Sequence, residues 1–451
     1  MDKATVISET ESLCPICLKK IEAKKIKEGT NVYLQKECEY HGSFKTIIWR
    51  DSPKIESWIR NKIPSYPKTP FTEIEKGCPF DCGLCKEHRQ HTCTALIEVT
   101  DKCNLNCSFC FANSGSSFNE LTLEKIEFLY RSVLKSSGNC NIQISGGEPT
   151  VREDLPEIIR LGHSIGFSFI QLNTNGVRIA EEEGYLKELK EAGLNSIFLQ
   201  FDGMDDSIYE KLRGKKLLNL KLKAIESCKK YNIGVILVPT LVPKINIDNI
   251  GAIIDFALEN LPTVRGVHFQ PVSYFGRIPD IPKDEDRVTI PEVIRAIEKQ
   301  TGGRIQEESF RPPGCENSFC SFHGNYIYKG NGQLSQVTKH SSDCCCSSEK
   351  AEAGAEKAKK FVARNWSERN NVSSNIKMGT SQIMNWDDII QSIKNYSFSI
   401  SGMAFQDVWN IDLERVKDCC IHVVNPEGKL IPFCAYNLTD IKGNYLYRRR
   451  K

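Results

Sequence analysis

The chain has 451 residues, 60 Lys and Arg against 57 Asp and Glu for a net charge of +3, and 20 cysteines. This length allows two to four domains with buried cores, and the near-neutral charge excludes the broad basic field of a nucleic-acid binder. No apolar run of about 18 residues is present to span a bilayer. Residues 1–5 lack the charged-then-apolar start of a secretory signal. Cysteines in tight groups then read as metal ligands in a reducing cytoplasm, not as disulfides.

Residues 1–60 carry Cys14-Pro-Ile-Cys17 and, about twenty positions on, Cys38-Glu-Tyr-His41. This is the pattern of a zinc ribbon or rubredoxin-like hairpin, a closed site for one zinc or iron ion with His41 as fourth ligand. A proline-marked connector (Pro64, Pro67, Pro70) opens the next segment, 61–93. Proline fixes φ and removes a donor, which keeps such a stretch extended. Cys78, Cys82 and Cys85 follow, with Cys93 near enough to close an auxiliary four-iron cluster. The alternative is a zinc knuckle in which His88 or His91 replaces Cys93.

From residue 94 to 305 strand and helix patterns alternate, as in a parallel sheet wrapped by helices. Strands are expected at 95–99, 141–144, 167–172, 196–201, 234–238 and 266–270. Helices are expected at 123–135, 154–165, 181–192, 217–230 and 247–258. Thr289-Ile-Pro-Glu292 has capping-box spacing before one more helix. Six such repeats fit a partial (β/α)6 barrel, in which chemistry sits at the strand C-terminal ends.

The first of those ends runs into Cys103-Asn-Leu-Asn-Cys107-Ser-Phe-Cys110. Soft thiolates select zinc or iron–sulfur clusters. A zinc loop lacks a fourth ligand here, whereas a four-iron cluster on three thiolates keeps one iron open to a small ligand. The second strand ends at Gly146-Gly147-Glu148-Pro149, the third at Asn173-Thr-Asn175-Gly176 and the fourth at Gln200-Phe-Asp202. His268, Gln270 and Ser273 mark the sixth.

Beyond 305 the repeat stops and cysteines return: Cys315, Cys320, the triplet Cys344 to Cys346, Cys419, Cys420 and Cys434. Cys315, Cys320, one triplet member such as Cys345, and Cys420 or Cys434 are a possible third cluster, against a zinc site or free thiols. A charged helix is expected at 349–363. Cys140 and Cys228 read as core residues, and the basic end from Arg448 as a solvated tail.

The Cys103–Cys110 spacing, Phe109 before its last cysteine, and the Gly-Gly-Glu-Pro turn resemble the radical S-adenosylmethionine (SAM) superfamily. Further phrases, from Gly-Cys-Pro-Phe-Asp-Cys-Gly-Leu-Cys to Leu-Ile-Pro-Phe-Cys-Ala-Tyr-Asn, resemble the tetraether lipid synthase subgroup, earlier linked to pterin methylation. The resemblance implies a [4Fe-4S] cluster on Cys103, Cys107 and Cys110 whose open iron is chelated by SAM. It implies Gly146, Gly147 and Glu148 at the methionine amine, Asn173 and Asn175 at the ribose and methionine, and Gln200 and Asp202 facing cofactor or substrate. Phe109 belongs to the same cofactor-binding set.

An electron from a partner such as ferredoxin or flavodoxin would split SAM to a 5′-deoxyadenosyl radical, and one or two auxiliary [4Fe-4S] clusters would assist. The best expectation is C–C coupling of lipid chains, with peripheral membrane contact. The alternative is methylation or maturation of a pterin, peptide or other polar substrate. A non-catalytic iron–sulfur or zinc protein is the reading from another class. The first predicts a wide apolar tunnel, the second a small polar pocket.

Overall fold

Alternation of inward and outward residues builds four antiparallel strands at the N-terminus: β1 (Thr5–Leu13), β2 (Lys20–Glu28), β3 (Asn31–Cys38) and β4 (Gly42–Trp49). In β3 the inward set is Val32, Leu34, Lys36 and Cys38, all buried. A buried lysine needs acceptors, and Lys36 Nζ donates to Ser12 Oγ at 3.1 Å and to Val408 O at 2.6 Å. The protein is described by a computed structural model covering residues 4–67, 70–115, 120–338, 348–366 and 395–448.

A short pairing of β5 (Lys62–Ile63) follows, and then the main sheet begins. Its strands are β6 (Thr94–Thr100), β7 (Asn141–Gly146), β8 (Ile170–Thr174), β9 (Ser196–Gln200), β10 (Gly234–Val238), the two-residue β11 (Thr240–Leu241) and β12 (Val264–Pro271). Apart from β11, consecutive members pair in parallel. Every residue of Gly-Val-Ile-Leu-Val in β10 is buried, as expected of a strand covered on both faces. Helices α1 (Leu123–Ser137), α2 (Leu155–Ile165), α3 (Val177–Glu181), α4 (Tyr185–Glu191), α5 (Asp206–Arg213), α6 (Leu218–Lys230) and α7 (Ile250–Glu259) lie between them. Helix α8 (Ile290–Gln300) starts from the expected capping box, with Glu292 Oε2 accepting from the Thr289 amide at 2.8 Å.

Two expectations change. The helix expected at 181–192 is split into α3 and α4, because Gly184 takes φ +90° in the left-handed region and starts a new helix. The parallel sheet is also wider than six strands. After β13 (Ser321–Gly330), β14 (Gln333–Gln336), β15 (Glu349–Lys350) and α9 (Ala351–Trp366), strand β16 (Ser397–Met403) pairs in parallel with β12. Strand β17 (Ile421–Val424) pairs in parallel with β6 at the opposite edge, and β18 (Leu430–Pro432) adds antiparallel to β17. Residues beyond 305 therefore extend both edges of the same sheet.

The N-terminal strands are docked on this body. Lys25 meets Asp412 at 2.7 Å, Ser12 Oγ donates to Ile411 O at 2.5 Å, and Arg50 meets Glu292 at 2.8 Å. Arg448 is not part of a solvated tail: it pairs with Glu98 at 2.5 Å and donates to Asn437 Oδ1 at 2.8 Å. The triplet that includes Cys345 lies outside the described residues. Cys140 and Cys228 are in the core, as expected. Among the described residues no helix is long and apolar enough to cross a membrane.

Candidate active site and metal centres

Strand β6 delivers the Cys103–Cys110 loop to the C-terminal edge of the sheet, where three hydrogen bonds clamp its backbone. The Cys103 amide donates to Gly115 O at 3.2 Å and the Cys110 amide to Arg277 O at 3.0 Å. Arg277 Nε donates to Cys107 O at 2.8 Å. Burial, with the charges of Glu148, Cys107 and Cys110 adding to it, pushes the Cys103 thiol up to about 12. Such a thiol ionises when a metal cation takes the place of its proton.

Strand β7 ends in the glycine turn, pressed against the end of β6. The Gly147 amide donates to Thr100 O at 2.7 Å and the Glu148 amide to Lys102 O at 2.8 Å. A Cβ on Gly147 would stand 2.0 Å from Lys102 O, so only glycine lets the two backbones meet. The Glu148 carboxylate is buried and fully occupied. Its Oε1 accepts from Thr150 N, Thr150 Oγ1 and Thr174 Oγ1 at 3.1, 2.7 and 2.7 Å, and its Oε2 from Asn175 N at 2.7 Å. Glu148 thus knits the ends of β7 and β8 together. Asn175 Nδ2 donates to Asn104 Oδ1 at 2.7 Å, joining β8 to the cysteine loop. Asn173 Oδ1 is buried without a partner among the described residues.

These ends line one cavity of about 610 Å3, which receives Cys103, Cys107, Cys110, Phe109, Gly146, Gly147, Glu148, Asn173, Asn175, Gln200, His268, Gln270 and Ser273. Asp202 is the exception to the expectation: it does not line the cavity. Its carboxylate is fully buried and bound by Arg213 at 2.7 and 2.8 Å, so the arginine occupies the cavity wall in its place. His268 does face the cavity, with Nδ1 2.8 Å from Ser401 Oγ, and burial holds it near 4. A donor set of three thiols, a glycine cradle and an orphaned carboxamide oxygen fits a cluster and a ligand rich in N–H groups.

The far end of the same cavity is lined by Cys93, Cys315 and Cys420. Their sulfurs lie within 4.8 Å of one another. The pairing of β17 with β6 causes this, since the Cys93 amide donates to Cys420 O at 2.9 Å. Hydrogen bonding from Cys315 and Cys420 holds Cys93 well below the usual thiol range. This corrects the expected grouping of Cys93 with Cys78, Cys82 and Cys85. Those three line a separate small cavity with His88. Hydrogen bonding to Cys78 and burial push Cys82 well above the usual thiol range. His91 is engaged elsewhere, at 2.8 Å from Ser65 Oγ.

The expected set of Cys315, Cys320, a triplet member such as Cys345, and Cys420 or Cys434 is likewise divided among its described members. Cys320 Sγ accepts from Arg415 Nε at 3.4 Å and Cys434 Sγ from the Gln406 amide at 3.3 Å, both outside the Cys93 group. The N-terminal set does assemble. His41 Nδ1 is 3.5 Å from both Cys14 and Cys38, and Cys17 is 4.0 Å from Cys38. These spacings suit four ligands around one ion.

Three further residues went unnoticed in the sequence: Arg213, Lys221 and Glu316. Lys221 is fully buried and donates to Asn175 O at 2.5 Å and Gln200 Oε1 at 2.7 Å. It had a signal, because it falls on the apolar face of α6 with Ala224, Ile225 and Cys228. Arg213 and Glu316, whose Oε2 accepts from Cys420 Sγ at 3.6 Å in the cavity wall, had none.

Residues 97–257 match the radical SAM superfamily, and residues 6–50 match the HMPTM N-terminal zinc ribbon domain. A 7,8-dihydro-6-hydroxymethylpterin dimethyltransferase of Methanocaldococcus jannaschii is 36% identical over 95% of this chain and 93% of its own length. A probable GTP 3′,8-cyclase of Methanococcus aeolicus is 28% identical over 52% of this chain and 81% of its own. Streptococcus suis SuiB bound to S-adenosylmethionine aligns over 48% of this chain and 49% of its own, at 17% identity and a TM-score of 0.39. These relatives lend no support to the lipid-coupling expectation. The chain belongs to the radical SAM superfamily and is a SAM- and [4Fe-4S]-dependent enzyme that carries an N-terminal zinc ribbon.

Proposed function

We propose that this radical SAM enzyme methylates a pterin-class heterocycle. Similarity along nearly the whole chain to a protein named for that activity is the observation that carries the reading. The cavity supports it: Phe169, Phe198 and Trp366 offer flat apolar walls beside the carboxamides of Asn141, Gln143 and Gln171. Stacking surfaces with a few placed hydrogen-bonding groups suit a planar, nitrogen-rich ring. Bound cluster and SAM would supply a carbon radical able to take hydrogen from an unactivated C–H bond.

In this reading Cys103, Cys107 and Cys110 hold the SAM cluster, and the backbone of Gly146 and Gly147 receives the methionine end. Glu148 fixes the turn from beneath, and Asn173 Oδ1 accepts from a ligand N–H. Cys93, Cys315 and Cys420 hold an auxiliary centre across the cavity, placing substrate between the two. A second reading, hydrocarbon coupling, is favoured by the apolar stretch Phe361, Val362 and Trp366 of α9 in the cavity wall.

Anaerobic incubation of the reconstituted protein with methyl-labelled SAM, dithionite and a panel of reduced pterins or long-chain lipids separates the readings. Label in a pterin is expected. Coupled chains with unlabelled pterins would replace the first reading by the second, and absence of 5′-deoxyadenosine under every condition would remove both.

A further inference from the structure

Helix α5 ends on Arg213, and its last turn is docked on the cysteine loop. The Ser108 amide donates to Leu212 O at 3.0 Å, and the Ser108 hydroxyl donates to Lys211 O at 3.0 Å. Arg213 is buried yet lines the same cavity as Cys107. Its guanidinium is aimed by a fork: Nε and Nη2 donate to the two oxygens of Asp202 at 2.7 and 2.8 Å, and Nη2 also to Thr240 Oγ1 at 3.1 Å. Asp202 is held in turn by the Thr240 amide at 3.1 Å and by the Gln200 carboxamide. Arg213 directly follows Leu212, whose carbonyl is bonded to the residue after Cys107, so Arg213 and Cys107 are neighbours on the cavity wall.

We propose that Arg213, aimed by Asp202, is a positioning residue that holds its cation beside Cys107 and raises the reduction potential of the cluster on that loop. The inference rests on the reading of Cys103, Cys107 and Cys110 as the ligands of the SAM cluster. Reduction adds negative charge to a cluster and its thiolates, so a buried cation beside one of them favours the reduced form. Asp202 then acts on the chemistry through the arginine, which accounts for a buried carboxylate that does not reach the cavity.

The test compares the reconstituted full chain with the double variant Arg213→Met/Asp202→Asn and with Arg213→Lys. The double variant removes the pair together, which avoids leaving a lone buried carboxylate. Potentiometric titration followed by electron paramagnetic resonance reads the midpoint, and the spectral change on adding SAM identifies the cluster concerned. In the double variant the one-electron reduction equilibrium is expected to fall at least tenfold, about 59 mV. Arg213→Lys, which keeps the charge, is expected to recover part of that loss.

Equilibria within twofold of the parent in Arg213→Lys and in the double variant would overturn the proposal and leave the ligand reading intact. Should the double variant fail to hold the cluster, an unchanged midpoint in Arg213→Lys alone overturns it. A parent whose spectra match those of Cys107→Ala, with no response to SAM, would overturn the ligand reading and the proposal with it.

Discussion

Replacing Gly147 with alanine tests the geometry of the site at its tightest point. The added Cβ would lie 2.0 Å from Lys102 O, 2.6 Å from Lys102 C and 3.0 Å from Asp101 O, all backbone atoms. An ordinary C···O approach is about 3.3–3.6 Å, so the turn must retreat from the end of β6 by about 1.3 Å. Gly147 N–H···O=C Thr100 and Glu148 N–H···O=C Lys102 both span the gap that would open. A misplacement of about 1 Å costs on the order of 100-fold in rate. Gly147→Ala is therefore expected to cut 5′-deoxyadenosine formation on that order, with iron content and far-ultraviolet circular dichroism unchanged. Gly115→Ala is the control, since its Cβ meets nothing within 4 Å among the described residues and its φ is not in the left-handed region. The reasoning fails if Gly147→Ala forms 5′-deoxyadenosine within threefold of the control, measured anaerobically by mass spectrometry.

Cys107→Ala should abolish 5′-deoxyadenosine altogether, whereas Cys14→Ser should release the ribbon ion and lower thermal stability while leaving product formation measurable; metal analysis and melting curves check both. Arg287 and Asp407, buried and paired at 2.9 and 3.0 Å, bind the 274–287 segment to the region before α-helical residues Leu413–Lys417. Arg287→Met leaves that carboxylate unpaired and should cost about 3–5 kcal/mol in urea denaturation; Arg287→Met/Asp407→Leu should recover much of it, and equal losses in the two would refute the pairing argument. Burial lowers the His268 pKa from 6.5 to about 4, so the unfolded chain takes up the proton first as pH falls. Stability is whole above the unfolded value and lost progressively towards the folded one, by up to about 3 kcal/mol; His268→Gln should flatten that slope in melts collected across the window.

Local pattern was enough where local forces decide. Strand β10 falls on its expected residues, the Thr289–Glu292 box starts α8, and Cys14, Cys17, Cys38 and His41 close as their spacing implies. Distance in the chain hid the rest. Cys93 was grouped with its neighbours in sequence, but a strand more than 300 residues away pairs beside it and brings Cys420. Asp202 stands at the expected strand end, yet whether such a carboxylate reaches a ligand depends on which cation packs against it, and Arg213 gives no periodic sign of doing so. Arg448 looked like one more residue of a basic end until Glu98 and Asn437 are placed beside it.

The shared cavity wall is assembled from residues 93, 315 and 420, and β6 does not acquire its outer neighbour until β17 arrives. A ribosome releases the last of these long after the first cysteine loop has emerged. A centre held by those three residues would therefore wait for an almost finished polypeptide, whereas the ribbon could take its ion while synthesis is still under way. With the proposed ligand sets, assembly would run in order, ribbon first and the centre at Cys93, Cys315 and Cys420 last, and a chain stopped short of Cys420 would be left with a half-lined chamber.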